Sequence, residues 1–181
     1  TNVLDKLHIK IKDKVFKDIH NALGGHLRLL ISAAAPIDSQ ILEGLLGFGI
    51  RTVQGYGLTE AAPTVSIEND FDVRLGSVGK PIKNVEIKIE GRDEQGIGEV
   101  LIKGPNVMLG YYKNEEATKE VLVDGWYHTG DLGYLDKDGF LYITGRKKNV
   151  IVQKNGKNIF PEELEVLINH IPFVKESIVY G

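Results

Sequence analysis

The sequence predicts an α/β protein in three parts: the end of a large α/β subdomain over residues 1–80, an antiparallel β-barrel subdomain over 81–146, and the beginning of a small α+β domain over 147–181. Three observations carry this expectation. Strand-like and helix-like apolar patterns alternate as far as Gln54, which suggests a βαβ unit and a parallel sheet. Near Lys80 the period changes to two, with Val85, Ile87 and Ile89 alternating with Glu86, Lys88 and Glu90. After Arg146 a short hairpin pattern runs into an amphipathic helix.

The elements follow in order. Ile11, Val15, Phe16, Ile19, Ala22 and Leu23 recur at helical spacing, and Gly24-Gly25 ends that helix. Residues 27–31 read as a short buried strand. Asp38 or Ser39 caps the next helix, whose apolar face is Ile41, Leu42, Leu45 and Leu46. Residues 50–54 read as the following strand, 85–90 and 99–103 as two more. Residues 133–135 and 140–144 flank the four-residue hairpin loop Asp136-Lys137-Asp138-Gly139. Residues 150–153 and 158–160 flank a turn marked by Asn155-Gly156. Pro161 suits a first helical position, with Glu162 and Glu163 at the positive end of the dipole. Leu164, Leu167, Ile168 and Ile171 are the expected buried stripe of that helix. Ser177-Ile178-Val179-Tyr180 reads as an apolar strand with neighbours still to come, so the chain is expected to be a piece of a longer one.

Composition narrows the function. Hydrophobic residues make up 42% and charged residues 26% of 181, in the range of globular proteins. Net charge is −3, from 22 basic and 25 acidic residues, which gives no electrostatic case for nucleic acid, a partner that wants a basic face. The absence of cysteine excludes disulfides and thiolate metal sites and is compatible with a reducing cytosol, hence a cytoplasmic placement. The longest apolar stretch, residues 29–37, falls far short of the ~20 residues that span a bilayer.

Three segments can carry chemistry. Gln54-Gly55-Tyr56-Gly57-Leu58-Thr59-Glu60 follows a strand, where α/β sheets place ligands. Its glycines let backbone lie close to a flat ring, Thr59 offers a hydroxyl, and Glu60 offers oxygen to Mg²⁺; a glycine-rich strand-to-loop turn explains the same residues equally well. In Trp126-Tyr127-His128-Thr129-Gly130-Asp131, a carboxylate on a tight turn can accept both hydroxyls of a ribose; an Asp that caps the turn, and a His that only bonds structurally, are the plainer explanations. Gly145-Arg146-Lys147-Lys148 can bind ribose or phosphate oxygens, or be a solvated face. The small run Ser32-Ala33-Ala34-Ala35-Pro36 permits close approach of a ligand or, by default, of a helix.

As an ordered set these segments, with residues 139–146 and 156–163, resemble the adenylate-forming (AMP-binding) superfamily, which includes acyl-CoA synthetases, luciferase and peptide-synthetase adenylation domains. The resemblance covers essentially the whole chain. Gly-Leu-Thr-Glu and Gly-Arg-Lys-Lys-Asn-Val-Ile leading to Asn-Ile-Phe-Pro-Glu-Glu-Leu-Glu make it most similar to long-chain fatty-acyl-CoA ligases. It implies that residues 1–80 end a partial three-layer α/β subdomain. It implies that Tyr56 stacks on adenine, with Gln54, Gly55 and Gly57 shaping the pocket and Ala34 and Ala35 as the opposite wall. Thr59 would bond the α-phosphate, Glu60 ligate Mg²⁺, Asp131 clamp the ribose, Ile143 line the base and Arg146 contact ribose. Lys148 would be the hinge of a mobile C-terminal domain, and Gly156 would line the pantetheine tunnel.

The implied reaction activates a fatty acid with ATP to acyl-AMP and pyrophosphate, then passes the acyl group to coenzyme A with release of AMP. Fatty acid, ATP and coenzyme A are the implied partners, and the resemblance allows peripheral membrane contact in the parent. The family's phosphate-binding loop would lie before Thr1 and its C-terminal catalytic lysine after Gly181, so the chain alone is expected to bind ATP weakly and not to turn over. Ser-Ala-Ala stands where many relatives have Ser-Gly-Gly, and the loop of residues 152–158 is one residue longer than in several. An adenylation domain that loads a carrier protein, and a non-catalytic nucleotide-binding or interaction module, are the alternatives.

Overall fold

The computed structural model describes residues 15–35, 37–69, 71–154 and 158–181. Ile11, Pro36 and the Asn155-Gly156 turn therefore lie outside the described residues. The first layer begins with α1 (Lys17–Ala22), which ends at Gly24 and Gly25, both at positive φ. β1 (Leu30–Ser32), α2 (Ser39–Gly47) and β2 (Thr52–Gly57) form the expected βαβ unit, with β1 and β2 parallel and Ser32 opposite Gln54. Asp38 caps α2 by accepting the Gln40 N–H at 2.7 Å. Leu42 is fully buried. β3 (Thr64–Ile67) and β4 (Lys80–Pro81) add antiparallel strands in the order β1-β2-β3-β4.

The second sheet is antiparallel, open and curled into a half-barrel. β5 (Glu86–Glu90), β6 (Gly98–Lys103), β7 (Leu122–Val123), β8 (Trp126–Leu135) and β9 (Leu141–Arg146) build it. β6 runs along one edge of the long β8, while β7 and β9 pair with the two ends of its other edge. The helix α3 (Glu115–Val121), capped by Asn114, precedes β7. Asp136 closes the β8–β9 turn by accepting the N–H groups of Asp138 and Phe140, both at 2.9 Å. Arg74 pairs with Asp136 at 2.6 Å and Asp138 at 2.9 Å and lies 3.9 Å over the Phe140 ring, so the turn is fastened to the segment before β4.

One core joins the two sheets. Ala61 and Val65 pack with Val85, Ile89, Val100, Ile102 and Leu141, and Tyr56 and Ile143 sit at its margin. Burial of this apolar cluster fixes how the end of β2 faces the half-barrel. Beyond it, β10 (Ile151–Val152) and β11 (Asn158–Ile159) pair antiparallel, and α4 (Pro161–Asn169) carries Pro161 at its first turn. His170 after α4 contacts the Asp38 cap of α2. No helix among the described residues is long and apolar enough to cross a membrane.

Several expectations need correction. Residues 27–31 are not a buried strand: β1 starts at Leu30, and Leu27, Leu29 and Ile31 are exposed, β1 pairing among the described residues with β2 alone. Ile41 on α2 is exposed as well. On α4, Leu164, Leu167 and Ile171 are exposed, since no described element packs on that face. Residues 177–180 pair with no strand among the described residues; the Val179 N–H donates to Glu165 Oε1 at 2.8 Å.

Candidate active site

β2 continues through its glycines to Gly57, with a bulge against β3 between Tyr56 and Gly57, and the turn comes just after it at Thr59–Ala61. At the bulge the chain needs glycine for closeness: a Cβ on Gly57 would fall 2.0 Å from the Pro63 carbonyl oxygen. The strand carries Tyr56 out to β8, where its hydroxyl donates to Asp131 Oδ2 at 2.5 Å. Burial first, and then the adjoining Asp131 carboxylate, push the Tyr56 phenol well above its ordinary value, against the opposing pull of Thr129 and Arg146. The phenol therefore keeps its proton and acts as a donor.

Asp131 is not on a tight turn; it lies within β8, 6% exposed, directly opposite Arg146 on β9. Arg146 Nε reaches its Oδ1 at 3.0 Å, so each carboxylate oxygen has one protein donor. Gly130 at φ +70° breaks the regular strand just before it. The Asp131 N–H donates to Thr129 Oγ1 at 3.0 Å, and the Thr129 hydroxyl donates to the Val100 carbonyl at 2.7 Å. Glu99 on β6 holds both neighbours of this pair: it accepts the Gly130 N–H at 3.2 Å and the Lys147 ammonium at 2.8 Å. Burial alone would raise the Glu99 carboxyl, but Lys147, Gly130 and His128 outweigh it and hold it below its ordinary value.

An open cleft of about 580 Å³ is faced by Glu60, Tyr111, Tyr127, His128, Arg146 and Lys148; Tyr56 and Asp131 are not part of its lining, and Asp131 adjoins it through Gly130 and Arg146. Glu60 sits in the short 3₁₀ turn Thr59–Ala61 that follows β2, and the Thr59 side chain is exposed there. Glu60 Oε1 accepts the Tyr111 hydroxyl at 3.0 Å, and no bond from a described residue occupies its Oε2. Burial first, then Tyr111 and Glu60, raise the Tyr127 phenol. No group of three His, Cys, Asp or Glu converges among the described residues. One carboxylate with an uncommitted oxygen at a cleft edge fits Mg²⁺ bound chiefly through phosphates and water rather than in an all-protein cage.

The candidate residues thus divide. Tyr56 and Arg146 each bond Asp131, and Glu60 and Lys148 share the cleft with Arg146. Gln54 faces inward: its side chain bonds the Ser77 carbonyl at 3.0 Å and the Ile37 N–H at 3.4 Å, and its own N–H donates to buried Glu68 at 2.8 Å. Gly55 lies against β3. Ala34 and Ala35 are exposed beyond β1 and leave the sheet at the Tyr56 end, without lining the cleft. Ile143 packs on the core beside Tyr56. Gly156 lies outside the described residues. Sequence reasoning passed over Tyr111 and Glu99, although glycines precede both, in Gly96-Ile97-Gly98-Glu99 and Gly110-Tyr111.

The AMP-binding enzyme family matches residues 2–112. A long-chain-fatty-acid–CoA ligase of Mycobacterium bovis is 41% identical over 167 residues, covering 92% of this chain and 27% of that protein. A 2-succinylbenzoate–CoA ligase of Bacillus cytotoxicus is 38% identical over 186 residues, covering 96% and 38%. The o-succinylbenzoate CoA synthetase of Bacillus subtilis superposes over 100% of this chain and 41% of its own, with a TM-score of 0.81 and 32% identity in its complex with the acyl-adenylate OSB-AMP. The same protein with ATP and magnesium ion gives 0.78 and 32%, over 100% and 42%. The chain thus spans well under half the length of these relatives. Since the match takes in more than half of its residues and the fold agrees along its whole length, the chain belongs to the AMP-binding enzymes, the family of adenylate-forming CoA ligases.

Proposed function

We propose that this chain forms the nucleotide-holding face of a ligase that joins a long-chain fatty acid to coenzyme A at the expense of ATP. The observation that supports the reading is Asp131, set between the Tyr56 hydroxyl and the Arg146 guanidinium, with its neighbour Gly130 and its partner Arg146 lining the same cleft as Glu60. With one donor on each oxygen, the Asp131 carboxylate is oriented yet keeps lone pairs for the two ribose hydroxyls. The Tyr56 ring packs against adenine and Ile143 supports the base. Thr59 donates to the α-phosphate as a fatty carboxylate oxygen attacks phosphorus and pyrophosphate leaves. Glu60 would hold Mg²⁺, which neutralises charge on the phosphates as they separate. Arg146 keeps Asp131 in place. Lys148, exposed after β9, is where the chain turns, so that the coenzyme A thiol replaces AMP on the acyl carbon.

The long-chain acid is favoured by the likeness to the mycobacterial ligase. An aromatic dicarboxylic acid is the second reading, from the likeness to the Bacillus 2-succinylbenzoate ligase. Pyrophosphate exchange by the protein at its full natural length separates them: exchange with palmitate and none with 2-succinylbenzoate is expected. Exchange with neither acid removes both readings.

A further inference from the structure

The turn that carries Glu60 is held from outside by a loop at residues 106–111. Asn106 Nδ2 donates to the carbonyls of Ala61 and Thr64, both at 2.9 Å. The Met108 N–H donates to the Glu60 carbonyl at 2.7 Å, and the Tyr111 hydroxyl donates to Glu60 Oε1 at 3.0 Å. The loop is itself pinned. The Tyr111 N–H donates to Thr118 Oγ1 at 2.9 Å, and the Thr118 hydroxyl donates to the Asn114 carbonyl at 2.7 Å within the first turn of α3. Backbone bonds alone would fix the turn. The phenol adds a bond to the carboxylate itself, at the mouth of a cleft where a glutamate would otherwise rotate freely.

We infer that Tyr111 is a positioning residue: its hydroxyl fixes the Glu60 carboxylate by one oxygen and leaves the other for the divalent cation that accompanies the nucleotide. Chain entropy supplies the reason. A free glutamate side chain loses several rotamers when it binds a metal, and one already held by a hydrogen bond loses fewer. The inference rests on the reading of Glu60 given above.

The test uses Mn²⁺ as the metal probe, its binding followed by electron paramagnetic resonance with a non-hydrolysable ATP analogue, in the protein at its full natural length. Tyr111→Phe keeps the ring and removes the hydroxyl. Its affinity for Mn²⁺ with the analogue is expected to fall by roughly tenfold, the scale of a hydrogen bond to a charged group. Its affinity for the analogue in EDTA is expected to be unchanged. Thr118→Val, which frees the loop without touching Glu60, is expected to give a smaller loss of the same metal-specific kind. Glu60→Gln is the reference and is expected to lose more than either. If Glu60→Gln weakens Mn²⁺ and Tyr111→Phe does not, or if Tyr111→Phe weakens the analogue equally in EDTA, the inference is overturned while Glu60 stands. If Glu60→Gln leaves Mn²⁺ binding intact, the metal-ligand reading fails first and the inference goes with it.

Discussion

The Tyr56 hydroxyl and the Asp131 carboxylate meet at 2.5 Å across 75 positions of sequence, one from the mixed first sheet and one from the half-barrel. The bond is charge-assisted and half-buried, a class that contributes about 1.5–3 kcal/mol. Tyr56→Phe preserves the ring face proposed to meet adenine and removes only this donor. AMP affinity is expected to fall by roughly ten- to a hundredfold. Affinity for 2′,3′-dideoxy-AMP, which offers Asp131 no diol, is expected to change little. Isothermal titration of both nucleotides checks this; equal losses for the two would mean that Tyr56 acts through packing alone.

Glu99 gives the site a pH dependence with a definite sign. Its folded carboxyl lies below the ordinary value of 4.5, because Lys147, Gly130 and His128 together outweigh burial. A depressed carboxyl contributes stability that is fully present above 4.5 and is lost as the pH falls through the folded value. Glu99→Gln keeps an acceptor for Gly130 but gives up the pairing with exposed Lys147. It is expected to cost about 1 kcal/mol at neutral pH. The gap should close in strong acid, and urea unfolding followed across that range measures it.

The sequence made the residues of the Asp131 cluster visible because they lie in short, dense patterns: Tyr56 between glycines, Asp131 after Thr129-Gly130, Arg146 before two lysines. What it hid was their setting. Asp131 reads as a turn residue because Gly130 and the polar His128 and Thr129 mask the period of two in β8, and only pairing with β6 and β9 makes that segment a strand. Gln54 reads as pocket lining, yet its side chain is buried and engaged by the Ser77 carbonyl and the Ile37 N–H. Tyr111 and Glu99 act through partners 51 and 48 positions away, which no local pattern can announce. The stripe on α4 reads correctly as apolar, but burial depends on a partner and not on the stripe itself.

Gly57 tests the packing of β2 on β3 apart from any ligand. A methyl group there would meet the Pro63 carbonyl oxygen at 2.0 Å and the Thr64 Cα at 3.1 Å, both backbone and unable to swing aside. Gly57→Ala is expected to cost at least the ~1–3 kcal/mol of an overpacked core. It should also pull Tyr56 away from Asp131. Denaturant unfolding reads the first effect, and loss of AMP binding at temperatures where the variant is still folded reads the second. Gly55→Ala, whose nearest neighbour would be the Ser66 carbonyl oxygen at 3.2 Å, is expected to cost less.

Ala34 presents the opposite case, a residue with more side chain than its backbone favours. It adopts φ +73°, in the left-handed region, on the exposed segment that leaves β1 beside the end of β2. For an L-residue that conformation costs about 1–2 kcal/mol. Glycine removes the cost but frees the unfolded chain by about 0.4–1 kcal/mol. Ala34→Gly is therefore expected to raise stability by about 1 kcal/mol or less, seen as a higher urea midpoint with an unchanged slope. Strain of this kind is held where the surroundings over-determine the backbone, commonly beside a ligand. If the Ala34 methyl forms part of the wall opposite Tyr56, the glycine variant should bind AMP more weakly even as it unfolds at higher urea. A variant that gains both stability and AMP affinity would show that the methyl plays no part in the wall.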